Sequence, residues 1–175
     1  VDTSFEADHL VISGTGTIVA PEHNMPIVAN RISLENGGVL THRAASASEV
    51  FNLQVEAAEL LIDASSKIDV TGKGYLPGRT LGNTMNGGAQ DLAGGTYGGE
   101  GFVPTASSGR TNRAYEDYRN PAEPGSGGGL HLTWSAGSGG GVVSVSATSA
   151  TINGSILANG KNGDYAADPA GSGGS

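Results

Sequence analysis

The sequence predicts an all-β chain folded as a right-handed parallel β-helix, a solenoid of a few coils carrying one long Gly-rich side loop. Three observations lead there. Short β-branched runs recur at a nearly constant spacing, helix start and stop signals are almost absent, and the 30 glycines are unevenly placed. Twenty of them lie between Gly72 and Gly141, whereas residues 1–71 hold four.

The strand candidates come in order. Leu10-Val11-Ile12, Ile18-Val19, Ile32-Ser33-Leu34 and Val39-Leu40 are short apolar or β-branched runs separated by Gly, Pro or Asn turns. Residues 44–61 have some helical composition, but Phe51, Leu53 and Val55 alternate with polar residues, which reads as a strand. Ile12 to Leu34 is 22 residues, Leu34 to Val55 is 21, and Ile18 to Val39 is again 21. A unit of about 20 residues is too small to bury its own apolar face and must stack on a neighbour.

A more distant repeat supports stacking. Residues 52–57 followed by Ile62-Asp63 align on residues 142–147 followed by Ile152-Asn153. After two residues are dropped, Ile68-Asp69-Val70-Thr71-Gly72-Lys73 matches Ile156-Leu157-Ala158-Asn159-Gly160-Lys161. Between the copies lie a Gly-rich excursion, residues 73–127, and a strand candidate over residues 130–134. Gly-Ser-Gly-Gly occurs at residues 125–128, 137–140 and 171–174. The first two lead into strand candidates and the third into the chain end. The reading is a single segment, 1–175, with first coils over 1–72, the excursion over 73–127 and last coils over 128–175, truncated from a longer array.

Composition excludes several functions. A net charge of −8, from 9 Lys+Arg against 17 Asp+Glu, opposes binding to nucleic acid or anionic lipid. No apolar run approaches the roughly 18 residues a membrane helix needs. The absence of cysteine removes disulfides, thiolate zinc sites and a cysteine nucleophile.

Residues 32–42, the paired Ile-x-Val/Ala-Thr/Asn-Gly-Lys motif, residues 94–101 and residues 120–129 resemble the glycine-rich parallel β-helix modules of very large bacterial cell-surface and secreted proteins. The resemblance spans the chain from about Leu10. It implies an extracellular or cell-surface location and an adhesin- or autotransporter-like structural role. Related helices carry polysaccharide lyases and phage tail spikes, so a carbohydrate-binding or polysaccharide-degrading β-helix is the alternative. No catalytic residue transfers by position, and fold analogy alone assigns no chemistry.

The excursion holds Tyr75, Tyr97, Phe102, Tyr115 and Tyr118, five of the nine aromatic residues. Tyr97, Tyr115 and Tyr118 are the candidate ligand-binding residues, since tyrosines on a scaffold loop can stack on sugar rings. The competing use of these rings is to pack the loop against strands. Asp91, Glu100, Glu116 and Asp117 are candidate calcium ligands beside exposed backbone carbonyls. No calcium-loop motif accompanies them, and Arg79, Arg110, Arg113 and Arg119 offer ion-pair partners instead. The four histidines lack zinc spacing, no nucleophile elbow occurs, and Gly72-Lys73 and Gly160-Lys161 are not phosphate loops. Asn153-Gly154-Ser155 is a formal glycosylation sequon in a turn position. The expectation is a non-enzymatic display module, with no cofactor beyond a candidate calcium ion. Its partners would be a surface glycan or neighbouring modules of the same polypeptide.

Overall fold

A computed structural model describes residues 5–22, 24–105, 107–117, 119–131, 136–164 and 169–175. Among these residues there are eight strands and no helix: β1 Phe5–Ser13, β2 Ile18–Val19, β3 Ile27–Glu35, β4 Val39–Leu40, β5 Leu53–Ile62, β6 Lys67–Asp69, β7 Val143–Ile152 and β8 Ser155–Leu157. They form two parallel four-stranded sheets, ordered β1-β3-β5-β7 and β2-β4-β6-β8. This corrects the predicted fold class. The single solenoid with a side loop is replaced by two sheets, and the Gly-rich residues gather in a compact unit of their own. One unit comprises residues 1–43, 52–69 and 143–157; the other comprises 44–51, 70–142 and 158–175.

The strand unit is built on rows of matched side chains. Ile12, Leu34, Ile62 and Ile152 face one another across the long sheet, and Leu10, Ile32, Leu60 and Ala150 form a second row. Val19, Leu40, Ile68 and Ile156 make the corresponding row of the short sheet. Ile12, Ile32, Leu34, Leu40, Leu60, Ile62 and Ile68 are buried in one cluster. Each such side chain contributes about 1.5–3 kcal/mol when fully withdrawn from water.

Inward alternation slips once in every long strand. In β3, Ile27 and Ala29 point inward, Asn30 and Arg31 are both exposed, and Ile32 and Leu34 point inward again. Asp8 with His9, Ala58 with Glu59, and Thr148 with Ser149 are the equivalent exposed pairs. One outward pair shared by all four strands keeps both halves of each strand on the same core, as an irregularity in a single ladder could not. The outward residues then meet each other: Asn30 Nδ2 donates to Asp8 Oδ1 at 2.6 Å, and Arg31 lies 3.6 Å from Glu59.

The second unit is held by a different repeat. Tyr75 and Gly78 donate backbone hydrogen bonds to the carbonyls of Gly125 and Gly128; Gly125 and Gly128 donate to Gly140 and Gly137. Gly137 and Gly140 donate to Pro169 and Ser172, while Gly171 and Gly174 donate to Lys161 and Ala158. Each pair of bonds steps three residues along both segments, where a β-ladder repeats every two. Three residues per turn is the period of polyproline II, whose backbone groups point outward and must find partners on neighbouring chains. Neighbours this close leave no room for side chains. A Cβ on Gly125 would run into the Gly173 carbonyl oxygen, and one on Gly139 into that of Gly125. Glycine answers the same requirement at the axis of collagen.

Candidate functional site

All the sequence-derived candidates that the structure describes belong to the glycine-rich unit. Beside buried apolar side chains such as Phe51, Val70 and Val142, its interior holds a polar node. Asn112 is buried; its Oδ1 accepts from the Thr96 amide at 2.8 Å and the Ser126 hydroxyl at 2.9 Å. Its Nδ2 donates to Thr80 Oγ1 at 3.1 Å and to the carbonyls of Thr96 at 2.9 Å and Arg113 at 3.1 Å. Ser126 also donates to the Thr96 carbonyl at 2.6 Å. One side chain thereby ties four stretches of irregular backbone together without leaving a buried polar group unmatched.

Thr96 carries this order outward. Its hydroxyl accepts from the Gly101 amide at 2.9 Å, and the Gly94 amide donates to the Phe102 carbonyl at 2.8 Å, closing residues 94–102 into a loop. Thr96 is fully buried at the base, whereas Phe102 is 76% exposed and Gly98, Gly99 and Glu100 are exposed at the tip. An aromatic ring is therefore presented to solvent on a backbone fixed from beneath.

Tyr97 and Tyr115 are brought together, with ring centroids 5.5 Å apart in an edge-to-face arrangement, and Tyr75 lies 6.5 Å from Tyr115. The Tyr75 hydroxyl donates to Glu123 at 2.8 Å and that of Tyr115 to the Pro124 carbonyl at 2.6 Å. Burial, aided by Glu123, holds the Tyr75 phenol well above its ordinary pKa; burial beside Tyr75 and Tyr97 does so for Tyr115. Burial raises Tyr97 as well. These rings pack on one another within the glycine-rich unit, where the competing reading of the sequence set them against strands. Tyr118 lies outside the described residues, as do residues 132–134 of the strand candidate at 130–134.

The four carboxylates are not gathered. Asp91 accepts from the Ser107 hydroxyl at 2.7 Å, which holds it below the ordinary carboxylate range, and lies 3.5 Å from His131. Glu116 accepts from the Ala122 amide at 3.2 Å and Asp117 from the Arg119 amide at 2.9 Å, while Glu100 stands exposed at the loop tip. Among the described residues no three acidic or imidazole side chains form a group able to hold a metal ion.

Sequence reasoning passed over Asn112 and Thr96, and counted Phe102 among the aromatic rings without making it a candidate. Nothing around Asn112 in the chain distinguishes it, because its partners are distant. Ser126 did carry a signal, since it is the serine of the first Gly-Ser-Gly-Gly repeat, and all three repeats prove to be segments of the hydrogen-bonded lattice. No family model, no curated protein and no solved structure matches the chain.

Proposed function

We propose that this protein is a structural and adhesive module of a large extracellular bacterial protein, in which the glycine-rich unit presents a recognition loop, residues 94–102. The supporting observation is the pairing of a buried Thr96, locked into the Asn112 node, with a Phe102 ring 76% exposed on the same closed loop. A rigid loop loses little conformational freedom on binding, and an exposed ring beside the Glu100 carboxylate suits a sugar that offers one apolar face and several hydroxyls. Tyr97 lies on the same loop and supports it.

A glycan array probed with the wild-type protein and with Phe102→Ala tests this reading. Retention on a defined set of glycans, lost in Phe102→Ala with an unchanged melting temperature, is the expected result. Absence of retention, or retention unaffected by the substitution, would overturn loop recognition of carbohydrate.

A further inference from the structure

The far edge of the strand unit is built like its interior but is uncovered. In both sheets the last strand, β7 and β8, has a partner on one side only among the described residues. Val145, Ile152 and Ile156 are 37%, 46% and 40% exposed. They continue rows in which Val55 and Ile27, Ile62 and Leu34, and Ile68 and Leu40 are at most 3% exposed. Neither β7, VSVSATSATI, nor β8, SIL, contains a charge or a proline, the usual devices that keep a sheet edge from pairing.

We propose that this edge takes a second copy of the same chain, whose β1 and β2 add in parallel to β7 and β8 in the register that already relates successive strands. Three features favour this occupant. First, β1 and β2 are the opposite terminal strands of the same two sheets, so one copy offers both edges at once, joined by a short turn. Second, the rows continue: Ala7 would follow Ala147, Leu10 would follow the small Ala150, Ile12 would follow Ile152 and Val19 would follow Ile156. Third, the outward charges of β1, Glu6 and Asp8, would fall beside Ser146 and Thr148, so no like charges oppose. Unlike surfaces meet in this contact, so it does not close on itself and generates an open, head-to-tail series.

Sedimentation velocity of the full chain from micromolar to millimolar concentration tests it, together with two variants at exposed positions. Val145→Lys/Ile152→Lys blocks one edge and Ile18→Pro, at a side chain 65% exposed, blocks the other. The wild type is expected to grow with concentration beyond a dimer, each variant to stay monomeric, and an equimolar mixture of the two to stop at a dimer. A wild type that is monomeric throughout overturns the proposal. So does a wild-type dimer that persists in Ile18→Pro, because it would mean β7 pairing with its own copy. Circular dichroism of each variant separates lost association from lost folding, and Ile156→Lys, in the half-exposed row that Val19 would continue, provides a second block should Val145→Lys/Ile152→Lys unfold.

Discussion

Asp63 shows how a single side chain registers one turn against the next. Its carboxylate accepts from the Asn36 amide at 2.6 Å and from the amide and hydroxyl of Ser65, each at 2.8 Å. The Asn36 amide foremost, then the Ser66 and Ser65 hydroxyls, hold its pKa far below the usual 3.8. A depressed carboxylate stabilises the fold fully above its unfolded pKa, and that contribution fades as pH falls below about 4 toward the folded value. Thermal melts of wild type and Asp63→Asn should therefore differ most at neutral pH and converge on acidification. Parallel curves would mean the charge is irrelevant. The Asn112 node allows a second test, because Asn112→Leu keeps the volume but leaves the buried Thr96 amide without its acceptor. Urea unfolding should show a loss of about 1–3 kcal/mol for each group left unpaired. Glycine supplies a matched pair: a Cβ on Gly139 would collide with the Gly125 backbone, whereas one on Gly98 meets nothing within 4 Å. Gly139→Ala should cost about 1–3 kcal/mol or more, the usual penalty of overpacking, and Gly98→Ala close to none.

Among the elements, strands were legible wherever β-branched runs met turn residues, and so was much of their register. Ile12 does face Leu34 and Ile18 does face Val39, as their spacing suggested. The distant repeat was likewise correct to the residue, for Leu53 pairs with Val143 and Ile68 with Ile156 after a two-residue deletion. The middle step was misread. Leu34 faces Ile62, not Val55, because residues 44–51 leave the strand unit and lengthen that interval. Composition could not reveal this, since Phe51-Asn52-Leu53-Gln54-Val55 alternates smoothly across the boundary. The shared slip at Asn30-Arg31 was also invisible locally, because one exposed pair acquires meaning only beside its three equivalents. Leu60, central to its row and fully buried, sets the scale of the core: Leu60→Ala should lower stability by about 2–5 kcal/mol in urea unfolding. A change below 1 kcal/mol would show that the row is not tightly packed.

The chain passes between its two units at residues 43/44, 51/52, 69/70, 142/143 and 157/158, so neither unit is a continuous stretch of sequence. Loss of either one forces loose ends on the other. Far-UV circular dichroism, dominated by the sheets, and the near-UV signal of the packed tyrosines should accordingly melt together; separate midpoints would show two independently stable bodies. The division into units could not be read in advance, because polyproline-like segments have no hydrophobic period and resemble linker sequence. The loop candidates were legible as a neighbourhood, since Tyr97 and the exposed Phe102 share one closed loop, but the sequence did not show which of the two rings would face solvent. A unit bound by backbone hydrogen bonds, with so little apolar surface hidden, also has an unusual relation to temperature. Apolar exposure is what makes the heat capacity of unfolding large, commonly about 12–15 cal/mol/K per residue, and a glycine lattice has little to expose. Calorimetry should find a smaller value here, hence a flatter stability curve and a fold that weakens little in the cold.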